Sequence, residues 1–302
     1  MPLVMKPFRV EERRVRSEDG TDLAYRVVGT GPCVLLVNGL GGSWRAWSHQ
    51  IAYLSDRYRF ISWDYRGLHR SGPPADPRAL RVADHVEDAL RVLDAEGVER
   101  TAVLGWSLGV QVGLEVFRRI PSQVASLVLI NGCAGRPWHS GLSLRAAERA
   151  VPALLRLLRR APVVAELLVQ RVANWPETIT WARRVGLVSS TVDEGLWHEL
   201  AGSLADIDMD VYAHMLDLMG DHDASDVLAE IDVPTLVIAG DRDIFTPRPV
   251  AERMVRAIPG AELMTVPGGT HFVLAELPEL VNLRIEKFFR ERGYAPAPAA
   301  VA

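Results

Sequence analysis

The chain has 302 residues, 48% of them hydrophobic and 24% charged, with a net charge of −4 from 34 Lys+Arg against 38 Asp+Glu. That length accommodates one large α/β domain with an insertion, or two small domains. The mild acidity gives no electrostatic reason to expect nucleic acid as a partner. Two cysteines, Cys33 and Cys133, lie in or beside apolar runs; they are too few for a disulfide framework and read as buried free thiols, which suits a reducing compartment. A five-residue apolar start before Lys6 leads into Glu11-Glu12-Arg13-Arg14, so no signal-peptide core is expected. No stretch approaches the ~20 apolar residues of a membrane span. The expected location is cytoplasmic.

In chain order, residues from Phe8 to Arg16 and from Asp22 to Val28 alternate as two strands joined by a turn at Asp19-Gly20. Cys33 to Val37 is a continuous apolar run, the pattern of a strand buried on both faces. It ends in the glycine-rich loop Asn38-Gly39-Leu40-Gly41-Gly42. A helix is expected over Trp47 to Ser55, a strand over Tyr58 to Trp63, and a helix over Leu80 to Glu96, stopping at Gly97. Thr101 to Leu104 is a strand, Val110 to Ile120 a helix and Val124 to Ile130 a strand. From about Ala134 to about Ile231 only helical segments appear. Alternation resumes with strand Val233 to Ala239, helix Pro249 to Ala257, strand Ala261 to Val266 and helix Leu277 to Glu291. The pattern implies a mostly parallel, doubly wound α/β sheet. Its core spans 1–133 and 232–292, a helical lid over 134–231 covers the carboxyl ends of the strands, and a disordered Ala/Pro-rich tail fills 293–302.

Gly105-Trp106-Ser107-Leu108-Gly109 stands at the switch from an apolar strand to a helix. A serine held there between glycines is a nucleophile elbow: a tight, strained turn exposes the hydroxyl, and the glycines let strand and helix approach closely. The helix start also turns backbone N–H groups toward any oxyanion that forms. Ligands and active-site residues in open α/β sheets gather beyond strand carboxyl ends. Two further loops lie there, Gly240-Asp241-Arg242-Asp243 and Gly268-Gly269-Thr270-His271. Of the 8 histidines, only His271 follows the last strand in such a loop.

With these residues in the order Ser107, Asp243, His271, the chain resembles the α/β-hydrolase superfamily from about residue 20 to residue 291. Asp64-Tyr65-Arg66-Gly67 with Arg70-Ser71-Gly72 is similar to that superfamily's loop after the fourth strand. The resemblance implies a catalytic triad in which the second aspartate of the acid loop, Asp243 rather than Asp241, is the member. The position after the sixth strand, where some relatives carry the acid, holds Asn131-Gly132. It also implies an oxyanion hole from the backbone amides of Leu40 and Leu108. Three departures stand out: Asn38 in place of a loop-bracing histidine, Val110 in place of a glycine beside the elbow, and His69 in place of another glycine.

Serine at the elbow, rather than aspartate or cysteine, implies acyl transfer to water. The expected activity is a serine esterase acting on a small apolar substrate, with no cofactor and no metal. A C–C bond hydrolase, a lactonase and a haloperoxidase or perhydrolase are alternatives within the fold, and a slow-turnover ligand receptor or regulator is one outside catalysis. Trp44, Trp106, Phe245 and Phe272 are the expected pocket residues. Trp138, Trp175, Trp181, Trp197, Met209, Met215 and Met219 of the insertion serve mostly to pack lid helices. Asp206-Ile207-Asp208-Met209-Asp210 reads as a solvated helix start, since a calcium loop's sixth-position glycine and twelfth-position glutamate are here Val211 and Asp217. Arg156, Arg159 and Arg160 read as the wet side of a lid helix. Oligomeric state is left open.

Overall fold

The computed structural model describes residues 8–137 and 177–295 except 206, together with 167, 170, 171 and 175. Arg156, Arg159, Arg160, Trp138 and Asp206 lie outside the described residues. Eight strands form one sheet: β1 (Val10–Arg16), β2 (Asp22–Val28), β3 (Cys33–Val37), β4 (Arg59–Trp63), β5 (Thr101–Trp106), β6 (Val124–Ile130), β7 (Thr235–Gly240) and β8 (Glu262–Val266). Their order is β1-β2-β4-β3-β5-β6-β7-β8. From β4 across to β8 every pairing is parallel, while β1 pairs β2 and β2 pairs β4 antiparallel. The short turn at Gly20, φ +83°, allows only an antiparallel partner for β1, because a parallel one needs a long crossover. The charged sequence of β1 leaves that edge strand wet and protected from edge-to-edge pairing.

Side chains alternate between two apolar layers, as a sheet covered on both faces requires. Leu35 and Val37 of β3, Val103 of β5, Leu129 of β6 and Val237 of β7 pack under α2 (Val82–Ala95), α3 (Gly109–Arg119) and α7 (Arg248–Ala257). Val34, Leu36, Leu104, Ile130 and Ile238 face the other way, toward α1 (Ser48–Leu54) and α9 (Pro278–Glu291). Between β6 and β7 come α4 (Thr178–Arg184), α5 (Glu194–Ala205) and α6 (Met209–Gly220), with no strand among the described residues of that stretch. Asp208 caps α6, accepting from the Asp210 and Val211 amides at 2.9 and 3.1 Å, as a helix start rather than a calcium loop.

Several boundaries differ from the sequence expectation. β5 continues through Gly105 and Trp106 because β6 goes on pairing with it there. A 3₁₀ turn, Trp44–Trp47, leads into α1, and a short α8 (Val273–Glu276) precedes α9. Tyr294, expected in the disordered tail, is docked: its hydroxyl accepts from Ala102 N at 3.1 Å and donates to Cys33 O, and its ring lies against Phe289. Cys33 and Cys133 are both buried, and neither is in a disulfide. No described helix is long and apolar enough to cross a membrane.

His85 of α2 is fully buried against the Tyr65 ring, 4.6 Å between centroids. Burial, aided by the nearby Arg66 charge, pushes its pKa down to about 3. Burial also lowers His49. An unfolded histidine protonates below about pH 6.5 while native His85 stays neutral, so the unfolded state binds the extra proton and stability falls as pH falls from there toward 3. Unfolding measured between pH 7.5 and 5 should show this loss, with a His85 share of up to about 1.4 kcal/mol per pH unit. His85→Leu should flatten the profile; an unchanged slope in that variant would remove His85 as its source.

Candidate active site

Ser107 sits at φ +57°, in the left-handed region that a side chain rarely adopts, and its amide donates to Ile130 O at 2.9 Å. The turn is held by close backbone packing. A Cβ on Gly109 would lie 2.1 Å from Val37 O, and one on Gly105 would lie 2.5 Å from Gly109 O. Val110 is accommodated by Gly132, where a Cβ would meet Val110 Cγ2 at 2.4 Å. The departure at Val110 is thus matched by a glycine across from it.

His271, in the loop after β8, places Nε2 2.8 Å from Ser107 Oγ and Nδ1 2.8 Å from Asp243 Oδ2. The Asp243 carboxylate also accepts from the amides of Phe245 and Thr246, at 2.8 and 3.0 Å, and from Thr246 Oγ1 at 2.6 Å. Burial works to raise this carboxyl, but the facing imidazole and the Thr246 bonds outweigh it and hold its pKa below the ordinary aspartate value. An ionised carboxylate can only accept, so Nδ1 carries the proton and Nε2 is the acceptor for the Ser107 hydroxyl. Asp241 is exposed and instead accepts from Gly268 N at 2.7 Å, bracing the neighbouring loop.

The loop after β3 makes a tight turn in which Gly42 N donates to Gly39 O at 2.9 Å, with Gly41 at φ +70°. Asn38 anchors it. Its Nδ2 donates to Trp63 O at 3.0 Å and Ser62 Oγ at 3.2 Å, and its Oδ1 accepts from Trp47 Nε1 at 3.0 Å. The asparagine therefore performs the bracing for which the resembling family uses histidine. His69, at φ +51°, donates from Nε2 to Gly41 O at 3.2 Å and steadies the same loop. Outside the regular elements, the Leu40 and Leu108 amides enter no backbone hydrogen bond among the described residues.

A cavity of about 740 Å³ opens over Ser107 and His271, bordered by Leu40, Leu108, Trp106, Phe245 and Phe272. Trp44 is not in its wall. Within the 3₁₀ turn the inward positions go to Ala46 and Trp47, and Trp44 lies against Phe8 at 6.3 Å with the Arg45 guanidinium 5.0 Å over its ring. Trp181, Trp197 and Met219 do line the cavity, whereas Met209 and Met215 are buried outside its wall and Trp175 is exposed. No group of three His, Cys, Asp or Glu among the described residues is placed to hold a metal ion.

Three supporting residues were not singled out by sequence for what they do here. Asn131, buried at φ +43°, donates from Nδ2 to Thr270 O at 2.6 Å and accepts from Gly240 N at 2.9 Å, tying the histidine loop to the acid loop. Trp106 Nε1 donates to His271 O at 2.9 Å, so this residue positions as well as lines. Buried Glu276 accepts from Thr270 N and Thr270 Oγ1, at 2.7 and 2.6 Å, and from Ser189 N at 2.7 Å. It joins the histidine loop to the helical segment.

The α/β-hydrolase fold family matches residues 32–278, and the chain belongs to that family. It is 30% identical over 280 residues to "Putative carbamate hydrolase RutD" of Azorhizobium caulinodans, covering 86% of this chain and 92% of that protein. Among solved structures, a hydrolase from Pseudomonas aeruginosa PA01 superposes with TM-score 0.76 at 28% identity, covering 92% of this chain and 98% of the other. An esterase from Exiguobacterium antarcticum superposes with TM-score 0.75 at 20% identity, over 93% and 100%, and shows the shared fold.

Asn131→Ala should leave Gly240 N and Thr270 O without their buried partner, at about 1–3 kcal/mol each. The expected outcome is a melting temperature several degrees lower; an unchanged one would show that the two loops hold without the tie.

Proposed function

We propose that the chain is a serine hydrolase that transfers the acyl group of a carboxylic ester, or of a closely related acyl compound, to water. The observation carrying this reading is the hydrogen-bonded series Ser107–His271–Asp243, which opens onto a mostly apolar cavity of about 740 Å³. In the proposed course His271 Nε2 takes the Ser107 proton as Oγ attacks the substrate carbonyl. The Leu40 and Leu108 amides receive the oxyanion, whose negative charge also suits the start of α3. His271 then passes its proton to the leaving alkoxide, and in the second half it deprotonates the water that releases the acid. Asp243 stays ionised throughout and stabilises the imidazolium. Each proton moves through one imidazole, so the scheme requires neither an electron carrier nor a Lewis acid.

The helical segment between β6 and β7 acts in this proposal as a cap, with 134–231 its limits and 1–133 plus 232–292 the catalytic core. Trp181, Trp197, Phe245 and Phe272 give the cavity its affinity for hydrocarbon. The name shared by the RutD relatives favours one extension, to carbamates, whose carbonyl undergoes the same attack and whose N–H offers a donor that an ester lacks.

Hydrolysis of 4-nitrophenyl esters from acetyl to decanoyl should peak at intermediate chain length. Ser107→Ala and Asp243→Asn should each lower kcat/KM by about 10⁴-fold or more, and Asp241→Asn by less than about threefold. Substantial activity in Ser107→Ala would overturn the nucleophile. Covalent labelling of Ser107 by a fluorophosphonate without turnover of any ester or carbamate would favour a ligand receptor instead.

A further inference from the structure

The hydroxyl of Tyr212, in the cavity wall, is neither paired within the protein nor sealed off from a ligand. Tyr212 lies on α6, where Tyr212, Leu216, Met219 and Gly220 all border the cavity. That spacing is one face of a helix, so α6 turns this side chain toward the cavity. The far end of its ring rests on the loop after β3: a Cβ on Gly41 would lie 2.8 Å from Tyr212 Cε2. Cε2 is bonded to the carbon that bears the hydroxyl, so the phenol oxygen stands close to the residue that follows Leu40. The Tyr212 amide donates to Asp208 O at 2.9 Å, but the hydroxyl has no partner among the described residues. The residue is only partly buried, and this oxygen is not one of the unpaired atoms that the fold closes off. A ligand in the cavity can therefore reach it. Its apolar surroundings raise the pKa above the ordinary phenol value, so at neutral pH it keeps its hydrogen and can donate.

Other polar groups of the wall are occupied or out of reach. Thr246 Oγ1 donates to Asp243, Thr178 Oγ1 to Trp175 O, Trp106 Nε1 to His271 O, and Ser107 and His271 bond each other. Gln111 Nε2 donates to Gly135 O and His222 O, both at 3.0 Å, while Gln111 Oε1 and Trp197 Nε1 are buried beyond ligand contact. Trp181 is exposed, so water can serve its indole N–H. No Lys, Arg, Asp or Glu is among the described wall residues, so an ionised substrate group would enter without a counter-charge. A pure hydrocarbon filling the cavity would strip water from the Tyr212 hydroxyl and leave its hydrogen bond unmade. A ligand oxygen at that place restores the bond.

We propose that Tyr212 is a substrate-binding residue whose hydroxyl donates to a second oxygen of the substrate, apart from the carbonyl under attack. The substrate class is then an uncharged acyl compound with an apolar body and an ether, ketone or further carbonyl oxygen. The Leu40 and Leu108 amides take the reacting carbonyl, and Tyr212 holds the part of the substrate that lies over Gly41. This rests on the acyl-transfer function proposed above and narrows its substrate.

The test compares wild type and Tyr212→Phe, both full length, on 4-nitrophenyl hexanoate and three isosteric esters. In these an ether oxygen replaces the chain CH₂ at C3, C4 or C5. Dividing the wild-type kcat/KM by that of the variant cancels each ester's own reactivity. For one ether or more this ratio should exceed the hexanoate ratio about 5–10-fold, the size of one neutral hydrogen bond. Butyl and 2-methoxyethyl hexanoate repeat the comparison on the alcohol side. Equal ratios in both sets would overturn the proposal, whether Tyr212→Phe slows every ester alike or none. The substitution deletes only a hydroxyl without a protein partner, so the variant should melt no lower than the wild type. A fall of several degrees would place that hydroxyl in an internal bond and overturn the proposal too. Calorimetric binding of the matching methyl esters to Ser107→Ala, with and without Tyr212→Phe, gives the same ratios without turnover. A preference there with no wild-type turnover would sink the hydrolase function alone, whereas turnover with equal ratios would sink only the role of Tyr212.

Discussion

The geometry of the site depends on one backbone contact, the crossing of α3 against the ends of β3 and β5. With a Cβ at Gly109 only 2.1 Å from Val37 O, and one at Gly105 only 2.5 Å from Gly109 O, there is no room there for any side chain. That closeness lets the chain reverse within Ser107 itself, at φ +57°, and bring the hydroxyl to the carboxyl edge of the sheet. The strain of a left-handed serine is of order 1–3 kcal/mol and persists only because packing on both sides leaves no alternative. A looser crossing would relax the turn and withdraw the hydroxyl from His271.

Having placed the serine, the fold must bring two loops to it from strands far along the chain. The supports are polar and buried. Asn131 joins the β7 end to the histidine loop, Trp106 holds the carbonyl of His271, and Glu276 grips Thr270 from beneath. Asn131 and Glu276 each pair in more than one direction, Trp106 gives its single indole N–H, and all three span elements distant in sequence. Glu276 also reaches Ser189, so the histidine loop and the helical segment share one carboxylate. A displacement of that segment is therefore felt one residue from the imidazole.

The layered core was largely legible because its strands are short, apolar and alternate with helices; Asp22–Val28, Cys33–Val37 and Val124–Ile130 match their expected limits residue for residue. The three residues now linked through His271 were legible for another reason. Each follows a strand end, in loops whose glycines mark close approach. The supports were not. Asn131 was visible only as a position lacking an acid, and Glu276, just before the expected Leu277–Glu291 helix, carried no signal at all; their partners lie 139 and 87 positions away. Trp44 failed for a related reason: proximity to the oxyanion loop in sequence says nothing about which side of a 3₁₀ turn faces inward. Tyr294 was hidden by the Ala/Pro composition that follows it.

The substitution of Asn38 for histidine bears on how the site responds to pH. Asn38 uses both ends of its amide, donating to Trp63 O and Ser62 Oγ and accepting from Trp47 Nε1. A neutral imidazole has one donor and one acceptor, so it could match only part of this set, and its protonation would replace the acceptor with a second donor facing the indole N–H. An amide does not titrate. In this chain the loop that presents the Leu40 amide is thus anchored independently of pH at its inner end. The bond from His69 to Gly41 O asks only that Nε2 carry a hydrogen, which one neutral tautomer and the imidazolium both satisfy. The non-titrating amide of Asn38 thus sits beneath the loop that carries the proposed oxyanion donor Leu40.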